Sequence, residues 1–103
     1  MNSSTDNCAI NKVLELFQGK WTIRILYALR QNENLRFGEL KKAIPGISST
    51  MLSSSLKDLE EKGLIERIQF NEIPPHVEYK ATEKAKDLHI VFSAMKEWGM
   101  KYL

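Results

Sequence analysis

Six of the eight residues from Ser48 to Ser55 carry a hydroxyl, and none of the eight is charged. Hydroxyls exchange hydrogen bonds with phosphate oxygens and base edges, and a threonine methyl can touch a thymine methyl. Serine and threonine are only moderate helix formers that gather at caps and turns. Yet Leu52, Leu56 and Leu59 run through the same segment at i, i+4 and i+7, the spacing of one helix face. At ~100° per residue, the face opposite these leucines holds Thr50, Ser54 and Lys57, with Ser53 at its edge. Ser48 suits the N-cap and Ser49 follows it. Short side chains let a helix lie deep in a DNA major groove, and free amide hydrogens at its N-terminus favour phosphate. Asp58, Glu60 and Glu61 stand at the far end, so the charge pattern turns the N-terminal half toward a polyanion. Taken alone, the same serines also describe a solvated surface with one good cap.

The remaining reactive residues are few. Cys8 is the single cysteine, which excludes an internal disulfide and fits a reducing interior. It precedes an expected first helix, where a helix N-terminus would lower the thiol pKa and favour the reactive thiolate. Cys8 is therefore a candidate thiol sensor, against the alternative of a small buried hydrophobe. His76 and His89 have no nucleophile or paired carboxylates near them in sequence, and with one cysteine they make a poor metal set. This argues against catalysis and against a metal-sensing regulator of the ArsR type, and no cofactor is expected. Among the bases, Arg36, Lys41 and Lys42 lie on or before an expected helix and Arg67 on an expected strand; all four are placed to meet phosphate. Arg67 has Glu66 and Glu78 as alternative partners.

A chain of 103 residues with net charge +2 suits one domain with a modest core. Residues 1–7 read as a flexible polar tail without a secretion signal, and 8–103 as the domain. No apolar run reaches the ~18 residues of a membrane span, so the expected compartment is the cytoplasm. Residues 9–18 suggest a first helix with Ile10, Val13, Leu14 and Phe17 on one side, closed by Gly19. A second runs from Lys20 to Gln31, with Trp21, Ile25, Ala28 and Leu29 inward, and "NEN" breaks it. "LRFGELKKAI" is a third, with Phe37, Leu40 and Ile44 inward, ended by Pro45 and Gly46. The serine-rich helix closes at Gly63.

"LIERIQF" and "HVEYKA" then alternate as half-buried strands of a wing over about 64–81, the first setting Leu64, Ile68 and Phe70 against polar partners, the second with Val77, Tyr79 and Ala81 on one side. "NEIPP" joins them, since Pro74 and Pro75 cannot donate ladder hydrogen bonds. Glu72 is expected to hold the wing tip away from phosphate. Thr82 caps a last helix over about 83–102. Two helices joined at a Pro-Gly turn and followed by a hairpin describe a winged helix-turn-helix, mainly α with a small β-hairpin. In the last helix Leu88, Val91, Phe92, Met95, Trp98 and Tyr102 form a stripe wider than so small a core can cover. Pairing it with Ile10, Leu14 and Phe17 of a second copy would bury both and set two recognition helices ~34 Å apart.

Several stretches, in this order, resemble the HxlR family of bacterial transcription regulators: Gly19-Lys-Trp21, Phe37-Gly-Glu-Leu40, Ile44-Pro-Gly-Ile-Ser48, Gly63-Leu-Ile-Glu-Arg67 and Pro74-Pro-His-Val-Glu-Tyr79. The likeness runs from Cys8 to about Leu88. It implies a homodimeric winged helix-turn-helix, similar to the MarR architecture but shorter, that binds double-stranded DNA and represses or activates. Some such regulators sense oxidants or electrophiles with a cysteine at the place of Cys8, and a small-molecule signal is the other expectation. Two departures remove positive charge from the implied DNA face. Thr50 stands where the family often has a lysine or arginine, and His76 replaces a frequent base after the double proline. Ala85, where a glycine is frequent, changes little. The reading is a sequence-specific regulator; the alternative is a winged-helix protein-interaction module with little DNA affinity.

Overall fold

The computed structural model describes residues 3–30 and 34–103, with side chains from residue 6 onward. Among them the order is α1 (Ser3–Phe17), α2 (Thr22–Leu29), β1 (Leu35–Arg36), α3 (Phe37–Ala43), α4 (Ser49–Glu61), β2 (Ile65–Phe70), β3 (His76–Ala81), α5 (Glu83–Lys86) and α6 (His89–Tyr102). The stripes of α2, α3 and α4 end in one core. Ile25, Leu26 and Leu29 of α2 meet Leu40 and Ile44, then Leu52, Leu56 and Leu59 of α4. Leu64, Ile65, Ala81, Ala85 and Phe92 close it. Burial of each large side chain contributes roughly 1.5–3 kcal/mol, and that is what clamps α4 to α2 and the sheet.

Four expectations are corrected. First, α1 begins at Ser3, so residues 3–7 belong to the helix and not to a tail, while 1–2 lie outside the described residues. Asp6 in the first turn supports this start, because a carboxylate there favours the positive helix end. Second, Leu35 and Arg36 are extended, not helical. They pair antiparallel with β3, Leu35 with Tyr79 and Arg36 with Glu78, giving a three-stranded sheet of order β1-β3-β2. The expected "NEN" break falls largely on residues 31–33, outside the described set.

Third, the two apolar sets of the hairpin lie on opposite faces. Cross-strand partners share a face, and the register pairs Ile65 with Ala81, Arg67 with Tyr79 and Gln69 with Val77. Ile68 and Phe70 therefore stand on the other face, with Glu78 and His76. Fourth, the last helix is broken. Asp87 and Leu88 keep near-helical torsions, but the Leu88 amide turns back to the Ala85 carbonyl at 3.0 Å, a three-residue step that tightens the turn. Thr82 caps α5, its Oγ1 accepting from the Ala85 amide at 3.4 Å and donating to the Gly63 carbonyl at 2.7 Å. Beyond the break, Phe92 enters the core while most of α6 runs outward, in a molecule of 56 × 30 × 23 Å.

Candidate nucleic-acid interface

The local sequence sets the serine-rich helix in place from both ends. In the Ile44–Ile47 turn the Ile47 amide donates to the Ile44 carbonyl at 3.3 Å. Gly46 adopts φ +88°, a left-handed conformation that glycine takes without a Cβ clash. Trp21 lies against this turn, 3.9 Å from where a Cβ on Gly46 would stand. Ser48 then caps α4 as expected, its Oγ accepting from the Met51 amide at 3.1 Å. At the other end Gly63, with φ +73°, lets the Leu64 amide reach the Leu59 carbonyl at 3.0 Å.

With Leu52, Leu56 and Leu59 buried, Ser48, Ser49, Thr50, Ser53, Ser54 and Lys57 are all exposed. They occupy one accessible side of the helix beginning at its N-terminus. Met51 is exposed as well, at 46%, and sequence reasoning missed it. Its signal was its position: one residue before Leu52, it lies ~100° off the buried stripe. Of the acidic trio that follows Lys57, Asp58 pairs with Lys62 at 2.9 Å, so part of that negative charge is neutralised.

Arg36, Lys41 and Lys42 are exposed on or beside α3. The Arg36 amide donates to Glu39 Oε1 at 2.8 Å, which fixes the start of α3. Arg67 is exposed at the middle of β2. It lies on the face away from Glu66 and Glu78; Glu66 pairs with Lys80 at 3.6 Å instead.

His76 is placed differently from a free loop base. Its Nε2 lies 2.9 Å from Glu78 Oε2, its Nδ1 lies 3.7 Å from Glu72, and its ring stacks on Phe70 at 4.6 Å. Asn34 Nδ2 donates to the other Glu78 oxygen at 2.8 Å. That hydrogen bond above all, then the contact with His76, holds the Glu78 carboxyl below the ordinary glutamate value. Ile73 stands fully exposed at the wing tip.

Cys8 is exposed but lies within α1, five residues past its first residue, so the helix N-terminus does not adjoin the thiol. Of the residues expected at a dimer seam, Phe92 is 7% exposed and packs in its own core. Phe17, Leu88 and Val91 are half-buried, whereas Ile10, Leu14, Met95, Trp98 and Tyr102 are exposed. Among the described residues no three His, Cys, Asp or Glu side chains cluster as a metal site, and no helix is long and apolar enough to cross a membrane.

The profile of the HxlR-like helix-turn-helix family matches residues 16–103. An HTH-type transcriptional regulator of Halalkalibacterium halodurans is 43% identical over 88 residues, covering 85% of this chain and 78% of the relative. Among solved structures, one described as a MarR-family transcriptional regulator from Porphyromonas gingivalis W83 superposes with TM-score 0.84 at 41% identity, over 93% of each chain. The redox regulator HypR in its oxidised form superposes with TM-score 0.82 at 32% identity, over 93% of this chain and 98% of that one.

Proposed function

The chain belongs to the HxlR-like helix-turn-helix family of DNA-binding transcriptional regulators, and from that premise we propose how it reads DNA and how it is switched. Helix α4 enters the major groove N-terminus first. Ser49, Thr50, Ser53 and Ser54 meet base edges or phosphate, Lys57 meets phosphate, and the Met51 methyl lies within reach of thymine. The observation that carries this reading is the accessible face of α4, small-residued at its N-terminal end, over a fully buried leucine stripe. Arg36, Lys41 and Arg67 add backbone contacts. His76, engaged with Glu78 and Phe70, shapes the wing instead of reaching for phosphate.

Two copies act together. The exposed apolar residues of α1 and α6 fit a second copy of this chain, and burying them would set the two α4 helices about one DNA turn apart. Exposure of Cys8 and the likeness to a redox regulator support a thiol-linked signal.

The test is Lys57→Glu. Duplex containing the operator, selected from genomic fragments, should lose binding to this variant by at least about tenfold, from one lost phosphate contact and one new repulsion. Helical content and oligomeric state should stay unchanged. Unaltered binding in fluorescence anisotropy would overturn the placement of α4. No duplex affinity in the parent protein even at low salt would instead favour the protein-interaction module.

A further inference from the structure

On the wing face that carries Ile68 and Phe70, the His76 imidazole lies between two carboxylates. Its Nε2 is 2.9 Å from Glu78 Oε2 on the same strand, and its Nδ1 is 3.7 Å from Glu72 Oε2 in the loop. The ring stacks on Phe70 of β2 at 4.6 Å, with the two planes 12° apart, and 17% of the side chain is exposed. Glu78 is held as well: it is 21% exposed, and Asn34 Nδ2 donates to its Oε1 at 2.8 Å. Glu72 is 63% exposed, and His76 is its one ionic partner among the described residues. The other charged groups on this face are Arg36 of β1, opposite Glu78, and Glu66 of β2, which pairs with Lys80 of β3.

We propose that His76 is a proton-operated latch on the wing. As imidazolium it ties Glu72, and with it the tip at Ile73, to Glu78 on β3; on losing its proton it releases Glu72. A neutral imidazole has one N–H and one lone pair, whereas the imidazolium donates from both nitrogens. An ionised carboxylate only accepts. With a carboxylate facing each nitrogen, the charged ring alone satisfies both. When one proton leaves to solvent, the remaining N–H stays on Nε2, because Glu78 is the nearer partner and is fixed by Asn34. Nδ1 then turns a lone pair toward Glu72, whose exposed carboxylate swings into water. Phe70 keeps the ring in place, so the loop moves and the histidine does not. Histidine is the side chain whose charge ordinarily changes between about pH 5 and 8, which sets the range to examine. Released, Glu72 adds a free negative charge to a looser tip. The consequence for DNA affinity rests on the proposed function, whereas the latch itself does not.

Nuclear magnetic resonance of the full chain without DNA, across about pH 5 to 8, is the test. As the His76 ring signals report loss of the proton, backbone order parameters at Glu72 and Ile73 should fall toward the flexible range, below about 0.6. Glu72→Gln should make the order of the tip independent of pH, since an amide can accept from or donate to Nδ1. His76→Phe, which keeps the stack on Phe70, should leave the tip loose at every pH. Slow amide exchange at Arg67 and Tyr79 should persist in both variants, showing that the hairpin is formed. A parent tip whose order stays constant while His76 loses its proton would overturn the latch, as would the same pH response in Glu72→Gln. With duplex, affinity of the parent should fall from the acidic to the basic end by about threefold more than that of Glu72→Gln. Both proteins titrate at His76, so the difference isolates Glu72. Equal pH dependence with the latch intact in the free chain would overturn the placement of the wing beside the duplex and leave the latch standing.

Discussion

On the outer face of the wing, Asn34, His76 and Glu78 form one hydrogen-bonded group, with Phe70 as its lid. Because the hydrogen bond from Asn34 and then the contact with His76 lower the Glu78 pKa, the folded chain releases this proton more readily than the unfolded one. The resulting stability is fully present above the ordinary glutamate value of ~4.3, and it is lost as pH falls through the lowered folded value. Urea denaturation across that acidic range should show a flatter pH dependence for Glu78→Gln than for the parent. Equal slopes would mean that the group is decorative.

At Cys8 the relevant observation is exposure, since the helix terminus does not adjoin the thiol. A thiol oxidant should shift duplex affinity of the parent by at least about threefold and leave Cys8→Ser unmoved. An identical response in both proteins would exclude this thiol as the sensor. The environment of Cys8 was misjudged from sequence because its place depends on where α1 starts. That start is set by residues 3–7, whose polar composition also suits a tail.

At the scale of elements, α4 shows why some structure was readable in advance. Its cap, its leucine stripe and its closing glycine are all local signals, satisfied within a turn or two of the residue that sends them. At Ser48, substitution can separate the cap from the DNA contact proposed for this end of α4. Ser48→Ala should cost about 1 kcal/mol of stability by removing the bond to the Met51 amide. Ser48→Asp should keep the cap and the melting temperature yet weaken duplex binding, because it places a negative charge where phosphate must come. Weakening of the two variants in parallel would show that Ser48 matters to DNA only through helix stability.

Strand β1 sent no such local signal. Two residues carry no periodicity, and Leu35 is extended only because Tyr79, far along the chain, supplies its partner. The turn between α5 and α6 was equally silent, since Asp87 and Leu88 are neither glycine nor proline and keep near-helical torsions. The hairpin misled differently. Both its faces carry large side chains, so alternation gave the strands but not which face meets the core.

Taken as a whole, the molecule is a compact reading head with two apolar rods attached. In the head, α2, α3, α4 and the sheet share one core; α1 and most of α6 leave theirs uncovered. Trp98, 58% exposed and 5.2 Å from the Tyr102 ring, marks the open side of α6. Trp98→Glu should convert a dimer to monomers in sedimentation velocity and lower operator affinity by at least about tenfold, because one half-site is then bound without its twin. A dimer that persists with unchanged affinity would place the partner surface elsewhere. The stripe was visible in sequence, but its division was not. Phe92, four residues past the interrupted turn at Asp87–Leu88, went to the chain's own core.

The short ladder between β1 and β3 ties the start of α3 to the hairpin, and α4 follows α3 after one turn. Helix α4 and the hairpin are thus tied to one frame. In the dimer proposed above, respacing the two half-sites by one base pair, ~3.4 Å, would therefore have to be absorbed between the subunits. On that proposal, half-site spacing is a property of the α1 and α6 surfaces that join two copies, not of α4 or the hairpin.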